Sequence, residues 1–332
     1  MGASARVAVA VCAAAVLVAG LVAAAGCSSV THEAKTLRSE FHPVPQSIPS
    51  DTALSSPCDA VTPGGHYVGF SVDGFPPDAA PLEALEHETG IDANIVSFYT
   101  TFDTQLNLSP IESLCAQHVL PLLEIDTPQA VELREIADGS ADSILEQYAL
   151  DVGTLHTPIA VDFDHEFNGS WFAWGEKYSP ASVFVAAWRH IVTVFRKYDA
   201  TNVIWVWNPN VDYGGTVLNL APWYPGNSYV SWIGLDGYFF APTETYASIF
   251  SRTMGQIRRF TDRPMLIVET GANPTSGRER AIASLFTGAA ATPGLLGLIW
   301  FDYGKTKSHD WYINNDPPAL AAFAANAVKY ET

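Results

Sequence analysis

Two glutamates, Glu166 and Glu269, each stand at the end of a short apolar run rich in β-branched residues. Hydrolysis of a glycosidic bond usually takes two carboxyl groups that flank the bond. One is protonated and gives a proton to the leaving oxygen, while the other is ionised and attacks or activates water. Aromatic side chains that can stack on sugar rings stand at or near the ends of such runs in the same sequence. The residue types therefore indicate carbohydrate chemistry.

The elements that must position these side chains can be read from periodicity. Short apolar runs alternate with segments that have helical spacing, which predicts strands and helices in turn. The predicted strands are Tyr67–Val72, Asn94–Phe98, Val119–Ile125, Pro158–Phe163, Val203–Trp207, Trp232–Leu235, Met265–Val268 and Gly297–Phe301. The predicted helices include residues 81–89, 141–150, 180–198, 243–260 and 277–291.

This alternation predicts an α/β fold, a (β/α)8 TIM barrel that forms a single catalytic domain. A doubly wound open sheet is the alternative. In a barrel, functional residues lie at the C-terminal ends of the strands. Glu166 then follows the fourth strand and Glu269 the seventh, so the two carboxyls would face each other across the barrel mouth.

Several segments resemble the motifs of one enzyme family. The run His165–Gly175, HEFNGSWFAWG, is similar to the HEMNGxWFWWG signature of glycoside hydrolase family 26, best known for endo-β-1,4-mannanases. The resemblance extends in order through Ile204–Asn210, Trp223–Gly226, Tyr229–Tyr238, Pro264–Gly271, Trp300–Phe301 and Asp310–Trp311. It covers most of the chain between residues 66 and 312.

The resemblance implies a retaining glycosidase in which Glu166 is the general acid/base and Glu269 the nucleophile. His165 would hydrogen-bond near the nucleophile and the sugar 2-hydroxyl, and Tyr238 would hold the second oxygen of the nucleophile. The other substrate-binding residues that it implies are Asn208 and three sugar platforms, Trp171, Trp174 and Trp300. Mannan-type substrates are favoured because they are the commonest in the family.

One residue departs from the family pattern. The Arg that the family places four residues ahead of the acid/base is Asp162 here. Loss of a nearby cation raises the pKa of a carboxyl, and an added carboxylate raises it further. A cation from a loop, such as Arg278, Lys305 or Lys307, could replace that Arg. The departure leaves open a catalytically inert carbohydrate-binding lipoprotein of the cell envelope, built on the same barrel.

The acids after the fourth strand also raise the question of a metal site. Strand alternation would put Asp162, Asp164 and Glu166 on one side and His165 on the other. No HExxH motif follows, because Phe167 and the residues after it do not continue the pattern. We therefore expect no metal and no cofactor.

The N-terminus reads as an export signal. Arg6 precedes an apolar run that ends in small residues before Cys27, which resembles a bacterial lipoprotein signal. We expect a signal peptide at residues 1–26, a Ser/Pro-rich tether at 27–64 and the catalytic domain at 65–332. Cys27 would carry the lipid and hold the protein on the extracytoplasmic face of the membrane. An uncleaved membrane anchor is the alternative.

Charge and cysteine content limit the partners. The formal net charge of -18 disfavours binding to phosphate backbones, so no nucleic-acid partner is expected. In an oxidising compartment we expect a Cys58–Cys115 disulfide, with two buried thiols as the alternative. The expected partner is a carbohydrate substrate, bound by a monomer.

Overall fold

The chain is described by a computed structural model over residues 65–331, except 156, 215, 218, 274–276 and 305–308. The predicted signal peptide, lipidation site Cys27, tether and Cys58 lie outside these residues. Cys115, the other cysteine of the predicted disulfide, belongs to the described residues. It is 8% exposed, and its Sγ lies 3.1 Å from Thr157 Oγ1. The Cys58–Cys115 pairing stays a prediction.

Eight parallel strands form a closed barrel in the order β1 to β8, which confirms the predicted fold class. Closure depends on β1, which pairs with β2 on one side and with β8 on the other. The strands are β1 (Tyr67–Val72), β2 (Ile95–Thr101), β3 (Leu120–Asp126), β4 (Ile159–Phe163), β5 (Val203–Trp207), β6 (Trp232–Phe239), β7 (Met265–Ala272) and β8 (Leu295–Asp302).

Helices connect the strands and surround the barrel. They are α1 (Ala80–Thr89), α2 (Leu108–Ala116), α3 (Leu133–Asp138), α4 (Asp142–Thr154), α5 (Ala181–Lys197), α6 (Tyr246–Ile257), α7 (Arg278–Ala290) and α8 (Pro317–Glu331). The longest, α5, buries one apolar face that includes Phe184, Trp188 and Phe195. No helix of the described residues is both long enough and apolar enough to cross a membrane.

The barrel has two apolar cores. The larger lies between the strands and the helices, where Phe70 on β1 and Trp300 on β8 both contact Phe323 on α8. The smaller consists of strand residues that alternate with those of the first, such as Leu122 and Ala160. Because successive strand residues point to opposite faces, this second core fills the barrel interior.

The residues just before β1 pack against the last helix, α8. His66, just before β1, stacks on the ring of Tyr330 in α8 with 4.2 Å between centroids. Its Nδ1 also lies 2.8 Å from the carbonyl oxygen of Tyr330. This contact fixes the N-terminal end of β1 against the last helix.

Candidate active site

A polar layer lies directly above the apolar barrel interior. Leu122, Ala160 and Val206 belong to the inner core, and two residues further along each strand stand Glu124, Asp162 and Asn208. All three of these polar residues are 0% exposed. Strand alternation therefore turns them into the barrel, toward the C-terminal ends of the strands.

The chain breaks this alternation after β4. Asp164 and Glu166 have φ of 52° and 51°, in the left-handed region that residues other than glycine seldom adopt. Asp164 accepts hydrogen bonds from Thr127 N at 2.7 Å and Thr127 Oγ1 at 2.8 Å, just after β3. The expectation that His165 must point away from Glu166 is wrong, because the strand geometry ends at Phe163.

Glu166 is held by two donors at the mouth. Asn210 Nδ2 donates to Oε1, and Trp171 Nε1 donates to Oε2 at 2.5 Å. Burial and the charge of Glu269 together raise the pKa of Glu166 to about 7. A carboxyl with this pKa carries a proton at slightly acidic pH and can give it to a leaving group.

Asn210 is oriented by a second amide. Asn168 Oδ1 accepts from Asn210 N, and Asn168 Nδ2 donates to the carbonyl oxygen of Asn210, both at 2.9 Å. This pair of bonds fixes the loop after β5 against the loop after β4. Asn210 was not singled out from sequence, although it stands in the same quoted run as Asn208.

Asn208, predicted to bind substrate, lies below the mouth. Its Nδ2 donates to Asp162 Oδ2 at 2.7 Å and to both carboxyl oxygens of Asp236 at 3.0 Å. Its carbonyl oxygen accepts from Glu166 N at 2.8 Å. Because Asn208 is fully buried, it supports the acid residues from beneath and does not present its side chain to a ligand.

Glu269 reaches the mouth through an irregularity in β7. The register between β6 and β7 shifts between Leu235 and Asp236, so that Asp236 pairs with Glu269. Such a shift re-aims a side chain. Tyr99 donates its hydroxyl hydrogen to Glu269 Oε1, and Tyr238 donates to Oε2. The contact predicted for Tyr238 is therefore present.

The two glutamates meet across the barrel. Oxygen atoms of Glu166 and Glu269 lie within 4.8 Å of each other, and an oxygen of Asp236 is within the same distance of both. Glu166 accepts from nitrogen donors, whereas Glu269 accepts from two tyrosine hydroxyls. Two neighbouring carboxyls thus sit in different surroundings.

His165 provides positive charge beside this pair. Burial opposes its protonation, but the carboxylates around it, first Asp126 and then Glu269, raise the pKa of His165 well above its usual range. Its Nδ1 lies 3.2 Å from Asp126 Oδ1. The ring is packed against Phe172, with 4.7 Å between centroids.

The three predicted tryptophan platforms have different positions. Trp171 is 45% exposed at the mouth. Trp174 is 7% exposed, stacks on Phe172 at 4.5 Å and donates its Nε1 hydrogen to the carbonyl oxygen of His165. Trp300 is fully buried on the helix side of β8 against Phe323. As placed, neither Trp174 nor Trp300 offers an open face to a sugar, which corrects two of the three predictions.

Other aromatic rings line the opposite side of the mouth. Tyr238 packs on Trp311 with 4.6 Å between ring centroids. Phe301 stacks on Tyr303 at 4.3 Å. Phe301, next to the predicted platform Trp300, has the inward position on β8 because it lies two residues after the interior residue Ile299.

No described loop cation replaces the family Arg. Arg278 donates Nε to the carbonyl oxygen of Ala272 at 2.8 Å and pairs with Asp316 at 3.7 Å. Lys305 and Lys307 lie outside the described residues. Among the ion pairs of the described residues, His165–Asp126 is the one at the site. Burial raises the pKa of Asp162 well above its usual range, and burial has the same effect on the pKa of Asp236.

Two sets of side chains bring metal-type ligand atoms within 4.8 Å of one another: Glu124, His165 and Glu269, and Glu166, Asp236 and Glu269. Both sets need Glu269, each of whose oxygens already accepts a tyrosine hydroxyl. Both oxygens of Glu166 likewise accept hydrogen-bond donors. This donor pattern favours carboxyl chemistry over metal ligation.

Comparisons with known proteins find similar sequences over part of the chain. Residues 124–266 match the model of glycosyl hydrolase family 26. The chain is 28% identical over 264 residues to Endoglucanase H of Acetivibrio thermocellus, covering 75% of this chain and 29% of that protein. It is 33% identical over 119 residues to Mannan endo-1,4-beta-mannosidase A and B of Caldalkalibacillus mannanilyticus, covering 34% of this chain and 21% of that protein. The chain thus spans less than a third of the length of either relative.

Solved structures share the fold. A modular endo-beta-1,4-mannanase from Cellulomonas fimi superposes with a TM-score of 0.65 at 17% identity, covering 81% of this chain and 72% of that chain. The catalytic domain of an endo-beta-1,4-mannanase from Bacillus sp. JAMB-750 gives 0.65 at 16% identity, covering 83% and 89%. At these identities the likeness supports the barrel architecture.

Proposed function

We propose that this barrel is a retaining glycoside hydrolase of family 26 that cleaves a β-linked polysaccharide or oligosaccharide, with mannan-type substrates favoured. The observation that carries the proposal is the approach of Glu166 and Glu269 oxygens to within 4.8 Å. Retaining enzymes hold their two carboxyl groups about 5–5.5 Å apart, whereas inverting enzymes leave about 6.5–9.5 Å for a water molecule.

In the first step Glu269 attacks the anomeric carbon and Glu166 protonates the leaving oxygen. Two tyrosine hydroxyls bond to the oxygens of Glu269, and donors to a carboxylate favour its ionised form. Glu166, with a pKa of about 7, supplies the proton. The bond to the leaving group breaks as the ester between Glu269 and the sugar forms.

In the second step Glu166 acts as a base. The charge of Glu269 contributes, after burial, to the raised pKa of Glu166. That charge disappears when Glu269 becomes an ester, so the pKa of Glu166 falls and its carboxylate can take a proton from water. The water oxygen then attacks the anomeric carbon and releases Glu269 as a carboxylate.

The substrate side of the proposal depends on the open aromatic surface and on the relatives. Trp171 exposes its indole beside Glu166, where a sugar ring could stack. One relative is named an endoglucanase and another a mannan endo-1,4-beta-mannosidase. A substrate panel should therefore contain β-1,4-mannan, β-1,4-glucan and mixed-linkage β-glucan.

Hydrolysis of this panel by the wild type, Glu166→Ala and Glu269→Ala tests the proposal. We expect each substitution to lower kcat by at least about a hundredfold, since a positioned acid/base contributes about 10²–10⁴-fold. Glu112→Gln on the exposed side of α2 is the matched control and should retain full activity.

Two further measurements separate the roles. An aryl glycoside with a good leaving group needs no proton, so it should restore bond cleavage in Glu166→Ala and not in Glu269→Ala. The first-formed anomer, followed by NMR, should retain the configuration of the substrate. Inversion would contradict the covalent mechanism.

A second candidate is a carbohydrate-binding protein without turnover. Asp162 stands where the family has an Arg, and Arg278 is engaged elsewhere. Glycan binding that survives both alanine substitutions, with no hydrolysis by the wild type, would favour this candidate.

We also propose that the protein is exported, lipidated on Cys27 and held on the extracytoplasmic face of the membrane, where it acts as a monomer. The small residues before Cys27 support this location. Metabolic labelling with a fatty acid tests it, because Cys27→Ala should abolish the label. Light scattering of the domain checks the monomer, and mass spectrometry without reductant checks the Cys58–Cys115 bridge.

A further inference from the structure

The two-glutamate mechanism leaves one buried carboxyl unused. Glu124 on β3 is 0% exposed, and both of its carboxyl oxygens lack a hydrogen-bond donor among the described residues. One of these oxygens lies within 4.8 Å of an oxygen of Glu269 and of a ring nitrogen of His165. A buried acid in this position needs a physical explanation, because an unpaired buried charge is costly.

The groups around Glu124 are mostly acids. Tyr99 on β2 and Asp162 on β4 are its neighbours in the sheet register. The charges of Glu269 and Asp162 raise the pKa of Glu124, and the charge of His165 lowers it. The charge of Glu124 in turn raises the pKa of Asp236 and of Tyr303, which follows β8. Of these groups, His165 is the one that can be positive, and Asp126 already lies against it. One histidine cannot balance every acid in the layer.

A proton shared between Glu124 and Glu269 would relieve the repulsion between these two carboxyls. Two ionised carboxylates are both acceptors and repel each other, whereas a protonated carboxyl can donate to an ionised one. An oxygen of Glu124 lies within 4.8 Å of an oxygen of Glu269. Burial, followed by the charge of Glu269, raises the pKa of Glu124 well above its usual range.

The hydrogen bonds around the pair decide which member carries the proton. Glu269 accepts from Tyr99 and from Tyr238, which stabilises its charged form. Glu124 has no donor within the described part of the chain and no exposed surface. This difference favours the negative charge on Glu269 and the proton on Glu124.

We propose that Glu124 is a positioning residue: a neutral carboxyl that donates its O–H to Glu269 as a third donor, in place of the cation that this site lacks. The proton stays on Glu124 throughout the reaction, while Glu269 forms and releases the sugar ester. This inference rests on the proposed function for its catalytic consequence, whereas the shared proton stands on the geometry of the two carboxyls.

Three variants test the catalytic consequence. Glu124→Gln keeps an N–H donor and cannot ionise, so it should retain most of the wild-type kcat. Glu124→Leu has no donor and should lose about 10- to 150-fold in kcat, with little change in KM, because a hydrogen bond to a charged group contributes about 1.5–3 kcal/mol. Glu112→Gln is the control for a glutamate-to-glutamine change on the surface.

The pH profile separates positioning from simple structural support. Without a third donor the ionised form of Glu269 loses a stabilising hydrogen bond. The acid limb of kcat/KM should therefore move to higher pH in Glu124→Leu and stay in place in Glu124→Gln. An unchanged acid limb in Glu124→Leu would overturn the proposal. So would a Glu124→Gln variant more active than the wild type, which would put the proton on Glu269.

An infrared measurement tests whether Glu124 is protonated. It requires neither activity nor a folded Glu124→Leu variant. A carboxylic acid has a carbonyl stretch that a carboxylate lacks, and the wild type minus Glu124→Gln spectrum at pH 7 should contain one such band. Its absence would overturn the shared proton. A band in a wild type that hydrolyses no glycan would contradict the proposed function alone.

Discussion

Trp171 Nε1 donates a hydrogen bond of 2.5 Å to Glu166 Oε2, while the indole remains 45% exposed at the barrel mouth. One side chain thus offers a face for a sugar ring and also tunes the acid beside it. Its hydrogen bond lowers the pKa of Glu166 against the larger effects of burial and of Glu269, which raise it.

Trp171→Phe should separate these two contributions. Phenylalanine keeps an aromatic face and removes the N–H, so the pKa of Glu166 should rise above its value of about 7. Activity needs protonated Glu166 and falls as pH rises through that pKa, so the alkaline limb of kcat/KM should move to higher pH. Trp171→Ala should in addition raise KM. An alkaline limb that does not move in Trp171→Phe would contradict this assignment.

Glu269→Gln should lower the pKa of Glu166, because the charge of Glu269 is the second cause of the raised value after burial. Titration of the Glu166 carboxyl by NMR with labelled glutamate measures this directly and requires no substrate. Glu112→Gln serves as the control and should leave the titration unchanged. A Glu166 pKa that stays near 7 in Glu269→Gln would show that burial alone sets it.

Removing either tyrosine donor should weaken the nucleophile. Tyr99→Phe and Tyr238→Phe each delete one hydroxyl that bonds to Glu269. Hydrogen bonds to a charged group contribute about 1.5–3 kcal/mol, so each kcat should fall about 10- to 150-fold. Tyr178→Phe, on a ring that is 58% exposed, is the matched control. A wild-type kcat in both Tyr99→Phe and Tyr238→Phe would show that these two hydroxyls do not contribute to the reaction.

Gly169 keeps Trp171 in place. A Cβ at residue 169 would lie 2.4 Å from the Trp171 ring, so Gly169→Ala must displace the indole or strain the loop. Overpacking costs about 1–3 kcal/mol in the free energy of unfolding. Gly255→Ala in α6 is a useful contrast, since nothing lies within 4 Å of its Cβ and helix propensity predicts a gain of about 0.5–1 kcal/mol. Denaturant unfolding of both variants checks the difference in sign.

Asp162→Asn should change how stability depends on pH. Burial raises the pKa of Asp162 in the folded state above its unfolded value. The folded state therefore binds a proton that the unfolded state has lost, so this group's contribution is present below about pH 4 and is lost as pH rises through the folded pKa. Compared with wild type, Asp162→Asn should show a smaller loss of stability between pH 5 and pH 8. Asp262→Asn, on the surface, should follow the wild type.

The sequence was sufficient for the barrel and for the placement of its two glutamates. Runs of buried β-branched residues mark the strands. Glu166 follows the fourth strand as expected, whereas Glu269 lies within the seventh, which continues to Ala272. Strand alternation also indicates which side chains face the barrel interior. Tyr99 and Glu124 stand at inward positions near the ends of β2 and β3, and the same alternation assigns Trp300 to the helix side of β8.

Other features depend on geometry that alternation does not predict. The left-handed conformations of Asp164 and Glu166 bring His165 and Glu166 to the mouth together. The register shift opposite Asp236 does the same for Glu269. Both are local departures from strand geometry that become visible only when the neighbouring strands are in place.

The contact between His66 and Tyr330 brings the first and last residues of the described chain together. It lies where β1 begins, at the pole of the barrel opposite the mouth, because all eight strands run parallel and the catalytic groups follow their far ends. Both ends of the described part of the chain therefore lie behind the barrel, away from the exposed indole of Trp171.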